Sequence, residues 1–140
     1  MENIQLKVYI ASKFHSRKRL LPIRAELEKL GLKVLSNWMV NDPDVDPSAV
    51  NDSLANNLEQ NQMMAERDQT EVKDCHIFII DTTDESNTGG REVELGYALG
   101  CGKACFRVGP IRNVFHSLVF GFASWDQLIK QITVTYGLRS

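Results

Sequence analysis

The chain has 140 residues, 43% hydrophobic and 24% charged, with a formal net charge of −2, which predicts one globular domain with a single core and no disordered tract. That charge excludes the basic footprint duplex nucleic acid requires and points to a small ligand, with Arg17, Lys18 and Arg19 as a local cluster for an anion. MENIQLKVYI is not a signal peptide, no stretch of about 18 apolar residues suggests a membrane span, and the odd set Cys75, Cys101 and Cys105 reads as buried free thiols of a cytoplasmic protein.

In chain order, residues 4–11 (IQLKVYIA) predict a strand that runs into the polar loop SKFHSRK. The apolar-periodic LLPIRAELEKLG then predicts a helix starting near Arg17 to Arg19, which keeps Pro22 close to its first turn, and closing at Gly31. LKVLS, residues 32–36, is a short second strand. Residues 37–52, rich in Asp, Asn and Pro, predict a long loop of the kind that forms lids or binding segments. Trp38 and Met39 at its start could stack on a ligand or pack in the core.

From Ser53 to about Lys73 the spacing of Leu58, Ala65 and Val72 predicts a helix stripe, with Asp68 on the same face. CHIFIIDTT, residues 75–83, is the near-continuous apolar strand expected at the centre of a parallel sheet, and Asp81 at its end could cap a turn or meet a ligand. DESNTGG leads into the helix REVELGYALGCG. KACFRVG, residues 103–109, is a fourth strand, NVFHSLVFGFAS an apolar loop or short fifth strand, and WDQLIKQITVTYG a closing helix. The alternation predicts a small doubly wound α/β sandwich with a mainly parallel sheet, occupying residues 1–140 as one domain, whose ligand sits at the carboxyl ends of the strands.

Three loops converge there: SKFHSRK, DTTDESNTGG and the stretch before His116. Thr88, Gly89 and Gly90 can present hydroxyl and backbone donors to an anion. The helix that follows carries Glu92 and Glu94 early in its length. Capping accounts for one of them, and Glu92 takes that role. A second carboxylate beside an anion would repel it unless it did chemistry, so Glu94 reads either as a further helix-end charge or as a reactive group pointing across the cleft. Asp68 can approach it from the preceding helix.

These residues resemble the nucleoside 2-deoxyribosyltransferases and their relatives, the 2'-deoxynucleoside 5'-phosphate N-hydrolases. The resemblance rests on VYIAS with its polar loop, on Asp68 eight residues ahead of His76, on Gly90, Glu94, Leu95, Gly96, Tyr97 and Ala98 as G-x-x-x-E-L-G-Y-A, and on the later NVFH. It implies a flavodoxin-like sandwich that assembles into dimers or larger oligomers, and a small deoxynucleoside or deoxynucleotide as partner. Glu94 is then the nucleophile that cleaves an N-glycosidic bond through a glycosyl-enzyme ester, without metal or organic cofactor, with Asp68 orienting Glu94 or assisting the leaving base. Tyr9 and Ser12 match positions that line the family's sugar pocket.

The sequence departs from the transferase pattern at Thr88, six residues before Glu94, where typical transferases carry an Asp and the nucleotide hydrolases a small hydroxyl residue. That favours a 5'-phosphate, with Arg17, Arg19, Arg91 and His116 adding positive charge. The apolar run VFHSLVFGF, residues 114–122, predicts a homo-oligomer. Transfer and hydrolysis stay open, as does base preference, and a module that binds or senses nucleotides without turnover is the alternative.

Overall fold

The computed structural model describes residues 4–42 and 58–139. Five strands, β1 (Lys7–Ala11), β2 (Lys33–Val34), β3 (Ile77–Asp81), β4 (Ala104–Val108) and β5 (Phe120–Phe122), form one sheet in the order β2-β1-β3-β4-β5, every pair parallel. This is the flavodoxin-like winding, whose crevice opens where the connections from neighbouring β1 and β3 diverge. The helices are α1 (Arg17–Lys29), α2 (Trp38–Asn41), α3 (Leu58–Asp74), α4 (Gly90–Gly100) and α5 (Trp125–Tyr136), with 3-10 turns at Phe14–Ser16 and Val114–Leu118.

β3 is buried along its whole length, as a central parallel strand must be. Its side chains alternate between two covered faces. Phe78 stacks on Tyr9, its register partner in β1, on the face where α3 and α4 lie side by side. Asp81 points to the other face, where it meets Arg19 of α1 and Trp125 of α5. Leu20, Leu27, Leu128 and Ile132 complete the core on fully buried positions.

Several sequence expectations are corrected. The stretch after residue 36 is not all loop: Asn37 leads into α2, and Trp38 and Met39 are core residues, the indole N–H donating to the Ile10 carbonyl at 2.8 Å. Residues 43–52, the rest of the expected loop, and 53–57, the expected start of α3, lie outside the described residues. The predicted stripe on α3 holds only in part, since Val72 is buried while Leu58 and Ala65 are exposed. Pro22 lies inside α1, beyond its first turn, on the exposed face where the carbonyl it leaves unbonded can meet water. The apolar run around His116, expected as a loop or a short fifth strand, is a 3-10 turn followed by the edge strand β5. Of the three cysteines, Cys75 is buried, Cys105 half-buried and Cys101 exposed at the end of α4.

Candidate functional site

Gly89 precedes α4 as its N-cap, and its φ of +78°, which suits glycine, turns the loop after β3 into the helix. The helix buries Arg91, Leu95 and Ala98, a set at helical spacing that fixes its inner face. Glu94 is on the flank of that face, one turn in. There the hydroxyl of Tyr9, a fully buried residue of β1, donates to Glu94 Oε2. Asp68 of α3, half-buried, is close enough for its charge to act on both Tyr9 and Glu94. Tyr9, Asp68 and Glu94 are thus brought together by β1, α3 and α4.

Electrostatics in this corner oppose ionisation. Burial pushes the Glu94 carboxyl up to about 8; the Tyr9 hydrogen bond pulls it down, while the charges of Asp68 and Glu71 add to the rise. Burial is also the first cause that raises Asp68, against the lowering effect of the Arg67 guanidinium, and that raises Glu71, against its bonds from Asn37. The Tyr9 hydroxyl is driven far above its ordinary range by burial and then by Glu94 and Asp68. Glu94 thus retains its proton at neutral pH, beside two further carboxyls that burial also shifts upward, a setting that suits acid–base work.

Ser12 lies at the carboxyl end of β1 and donates to the Asp81 carbonyl at 3.2 Å. Thr88 is exposed and shares a 3.2 Å hydrogen bond with Ser86; Gly90 is exposed beside it at the first turn of α4. Asp81 is a structural hub: its fully buried carboxylate accepts from both terminal nitrogens of Arg19, from the Thr83 N–H and from Trp125 Nε1.

The cations expected around a 5'-phosphate are engaged within the chain. Arg19 is held by Asp81 and Asp84. Buried Arg91 donates to the carbonyls of Asp81 and Asp84 and to Glu92. Arg17 donates to the Asp42 carbonyl and lies over the Phe14 ring. His116 is fully buried; Nδ1 accepts from the Arg112 backbone N–H at 3.0 Å, which leaves the Nε2 proton to donate to Glu92 Oε1 at 2.9 Å. His116 therefore stands within the chain as a brace for Glu92, not as a free cation.

Glu92 is correspondingly more than a cap. Burial raises its carboxyl, yet the bonds from Arg91 and His116 outweigh that and hold it below the ordinary range. Asn113 adds a 3.4 Å contact, and Glu92 Oε2 is a buried atom with no protein partner. A cavity of about 610 Å³ opens beside this network, lined by Arg91, Glu92, Arg112 and Asn113 among others, and Tyr9, Asp68 and Glu94 do not line it. Among the described residues, no cluster of three potential metal-ligating side chains is close enough to hold a metal ion.

The sequence reading missed Asp42, Arg67 and Glu71. Arg67 clasps Asp42 at 2.7 and 3.1 Å and Asp68 at 2.9 and 3.2 Å, while Glu71 accepts from the Asn37 N–H and side-chain amide. For Arg67 and Glu71 the available signal was their place on the same helix as Asp68, one position before it and three after, while Asp42, in a separate segment, gave none.

A family model described as nucleoside 2-deoxyribosyltransferase matches residues 8–125. Among solved structures, a 2-deoxyribosyltransferase from Bacillus psychrosaccharolyticus superposes with a TM-score of 0.68 at 22% identity, over 87% of this chain and 89% of that one. A CMP N-glycosidase from Clostridium botulinum gives 0.55 at 17% identity, over 91% and 98%. Both share the fold. No curated protein matches the chain in sequence.

Proposed function

The chain belongs to the nucleoside 2-deoxyribosyltransferase family, and from that premise we propose that it cleaves the N-glycosidic bond of 2'-deoxynucleosides with Glu94 as nucleophile. One observation carries the reading: a Tyr9 hydroxyl is bonded to the Glu94 carboxylate on the inner flank of α4, with Asp68 beside the pair. A charge placed only to cap a helix has no use for a buried phenol. In the first step a Glu94 oxygen bonds to C1' of the sugar as the bond from C1' to the base nitrogen breaks. The electron pair leaves with the base, and the proton that Glu94 gives up as it attacks passes to that base, with Asp68 placed to relay it. Water or a second base then attacks C1' and frees Glu94, giving hydrolysis or transfer.

Tyr9 fixes the Glu94 oxygen and stabilises its charge as it forms. Ser12 lines the sugar side, while Thr88, Gly89 and Gly90 hold the 5' end with hydroxyl and backbone donors. The internal engagement of Arg19, Arg91 and His116 favours the unphosphorylated nucleoside; the exposed Thr88 hydroxyl at the start of α4 is what favours the 5'-monophosphate as a second substrate. Val114, Phe115, Leu118 and Phe120 are all largely exposed around edge strand β5, and that apolar surface supports a homo-oligomer.

The test incubates the protein with each deoxynucleoside and each 5'-monophosphate and follows free base by chromatography, with and without a second base. Release from nucleosides faster than from monophosphates is expected. Exchange products well ahead of free sugar identify transfer. Retained binding with no release from any compound would leave the non-catalytic binding module and overturn the enzyme.

A further inference from the structure

Asp68 is not held by its own helix alone. Its neighbour Arg67 extends one guanidinium between two carboxylates: Nη1 and Nη2 reach Asp42 at 2.7 and 3.1 Å, while Nε and Nη2 reach Asp68 at 3.2 and 2.9 Å. Asp42 caps the C-terminal end of α2, and Arg17 of α1 donates to its carbonyl at 2.9 Å. One turn along α3, Glu71 grips the other end of α2 through Asn37. Trp38 ties α2 to β1 through the Ile10 carbonyl. The two ends of α2 are therefore clamped by Arg67 and Glu71, and Asp68 lies between those residues on α3.

We propose that Arg67 is a positioning residue for glycosyl cleavage: shared between Asp42 and Asp68, its planar fork fixes the Asp68 carboxylate at the Tyr9–Glu94 pair and registers that corner to α2. The inference rests on the reading of Glu94 as nucleophile. The guanidinium is anchored on Asp42, where Nη1 and Nη2 each meet a different oxygen, and from there Nε and Nη2 converge on the single oxygen Oδ1 of Asp68, a two-point hold that a lysine ammonium does not reproduce. The charged groups acting on Asp68 are Arg67 of α3 and Asp42 at the end of α2, and Asp68 acts in turn on Glu71 of α3, Glu94 of α4 and Tyr9 of β1. Among them Arg67 is the cation. Its charge lowers Asp68 and Glu94, and Asp42 raises Asp68.

The two sides of the clamp therefore have opposite signatures. With ¹³C-carboxyl-labelled Asp and Glu, followed by NMR across pH and assigned with Asp68→Asn and Glu94→Gln, Arg67→Met raises the Asp68 midpoint by about one unit or more. Asp42→Asn lowers it. A purely structural clamp would shift melting temperature and leave both midpoints in place, or move both the same way, and either result overturns the proposal. In turnover, Arg67→Met lowers kcat about 10- to 100-fold with KM nearly unchanged, and Arg67→Lys restores the midpoint but not kcat. Unchanged kcat in Arg67→Met contradicts it as well. If Arg67→Met does not fold, Asp42→Asn and Arg67→Lys carry the same contrast. The titration needs no turnover, so a wild-type protein that releases no base refutes the glycosyl reading by itself, while the midpoints separately decide whether Arg67 sets the state of Asp68.

Discussion

Replacing Glu94 by Gln should make the protein more stable, and increasingly so as pH rises. The carboxyl ordinarily ionises near 4.5 but is pushed up to about 8 in the fold, first by burial and then by Asp68 and Glu71. Between those values the unfolded chain has released the proton and the native chain still holds it. The native state binds more protons, so stability falls as pH rises through this window and levels off above about 8. Each unit of displacement corresponds to about 1.4 kcal/mol, which sets a ceiling of about 5 kcal/mol. Partial access of the half-buried side chain to water reduces this to about 2–3 kcal/mol. Gln keeps the shape and accepts the Tyr9 hydrogen bond, yet has no proton to lose. Urea unfolding of both proteins at intervals between pH 5 and 9 should give curves that nearly meet at pH 5 and diverge by about 2–3 kcal/mol at pH 8, or about 5–12 °C in Tm. Parallel curves, or a wild type that gains stability relative to Glu94→Gln as pH rises, would refute the claim that this site resists charge.

Tyr9→Phe removes a donor to a carboxylate worth about 1.5–3 kcal/mol; the acid limb of the kcat/KM profile should move one to two units toward higher pH, because losing that bond raises Glu94. Glu92→Ala should cost about 2–4 kcal/mol in urea denaturation, well beyond the 0.3–1 kcal/mol of a helix-end charge, because it strands buried His116 and Arg91. Phe115→Ser with Phe120→Ser should lower the mass seen by light scattering at micromolar concentration, from an oligomer to a monomer. A thiol reagent applied to native protein should modify Cys101 within minutes while Cys75, fully buried, stays protected until unfolding.

Strands such as IFIID were legible because a short, β-branched apolar run followed by turn residues reads as a covered strand, and the order of elements then pointed to a doubly wound sheet. Glu94 stood out as a candidate through its place after the glycine loop and the resemblance carried by the Glu-Leu-Gly-Tyr-Ala element. What failed depended on partners distant in sequence. Glu92 reads as a cap until His116, 24 residues away, is found hydrogen-bonded to it. Arg19 and Arg91 read as free cations until Asp81 and Asp84 accept from them. The α3 stripe misled because Leu58, Ala65 and Val72 are seven apart, and apolar residues spaced that widely do not reveal where the helix leaves the sheet. Trp38 and Met39 fell in a polar, proline-rich stretch whose composition masked a four-residue helix.

The central claim, that Glu94 attacks the anomeric carbon, is tested most directly by trapping. A 2-fluoro-arabinosyl nucleoside slows both steps by destabilising the oxocarbenium-like transition state, and the glycosyl ester accumulates if its hydrolysis is slowed more. Peptide mass spectrometry of the treated protein should place one fluorosugar on the peptide containing Glu94, and Glu94→Ala should carry none. An adduct on Asp68 or Asp81, or base release with no adduct at any carboxylate under conditions that label a known retaining enzyme, would contradict the account.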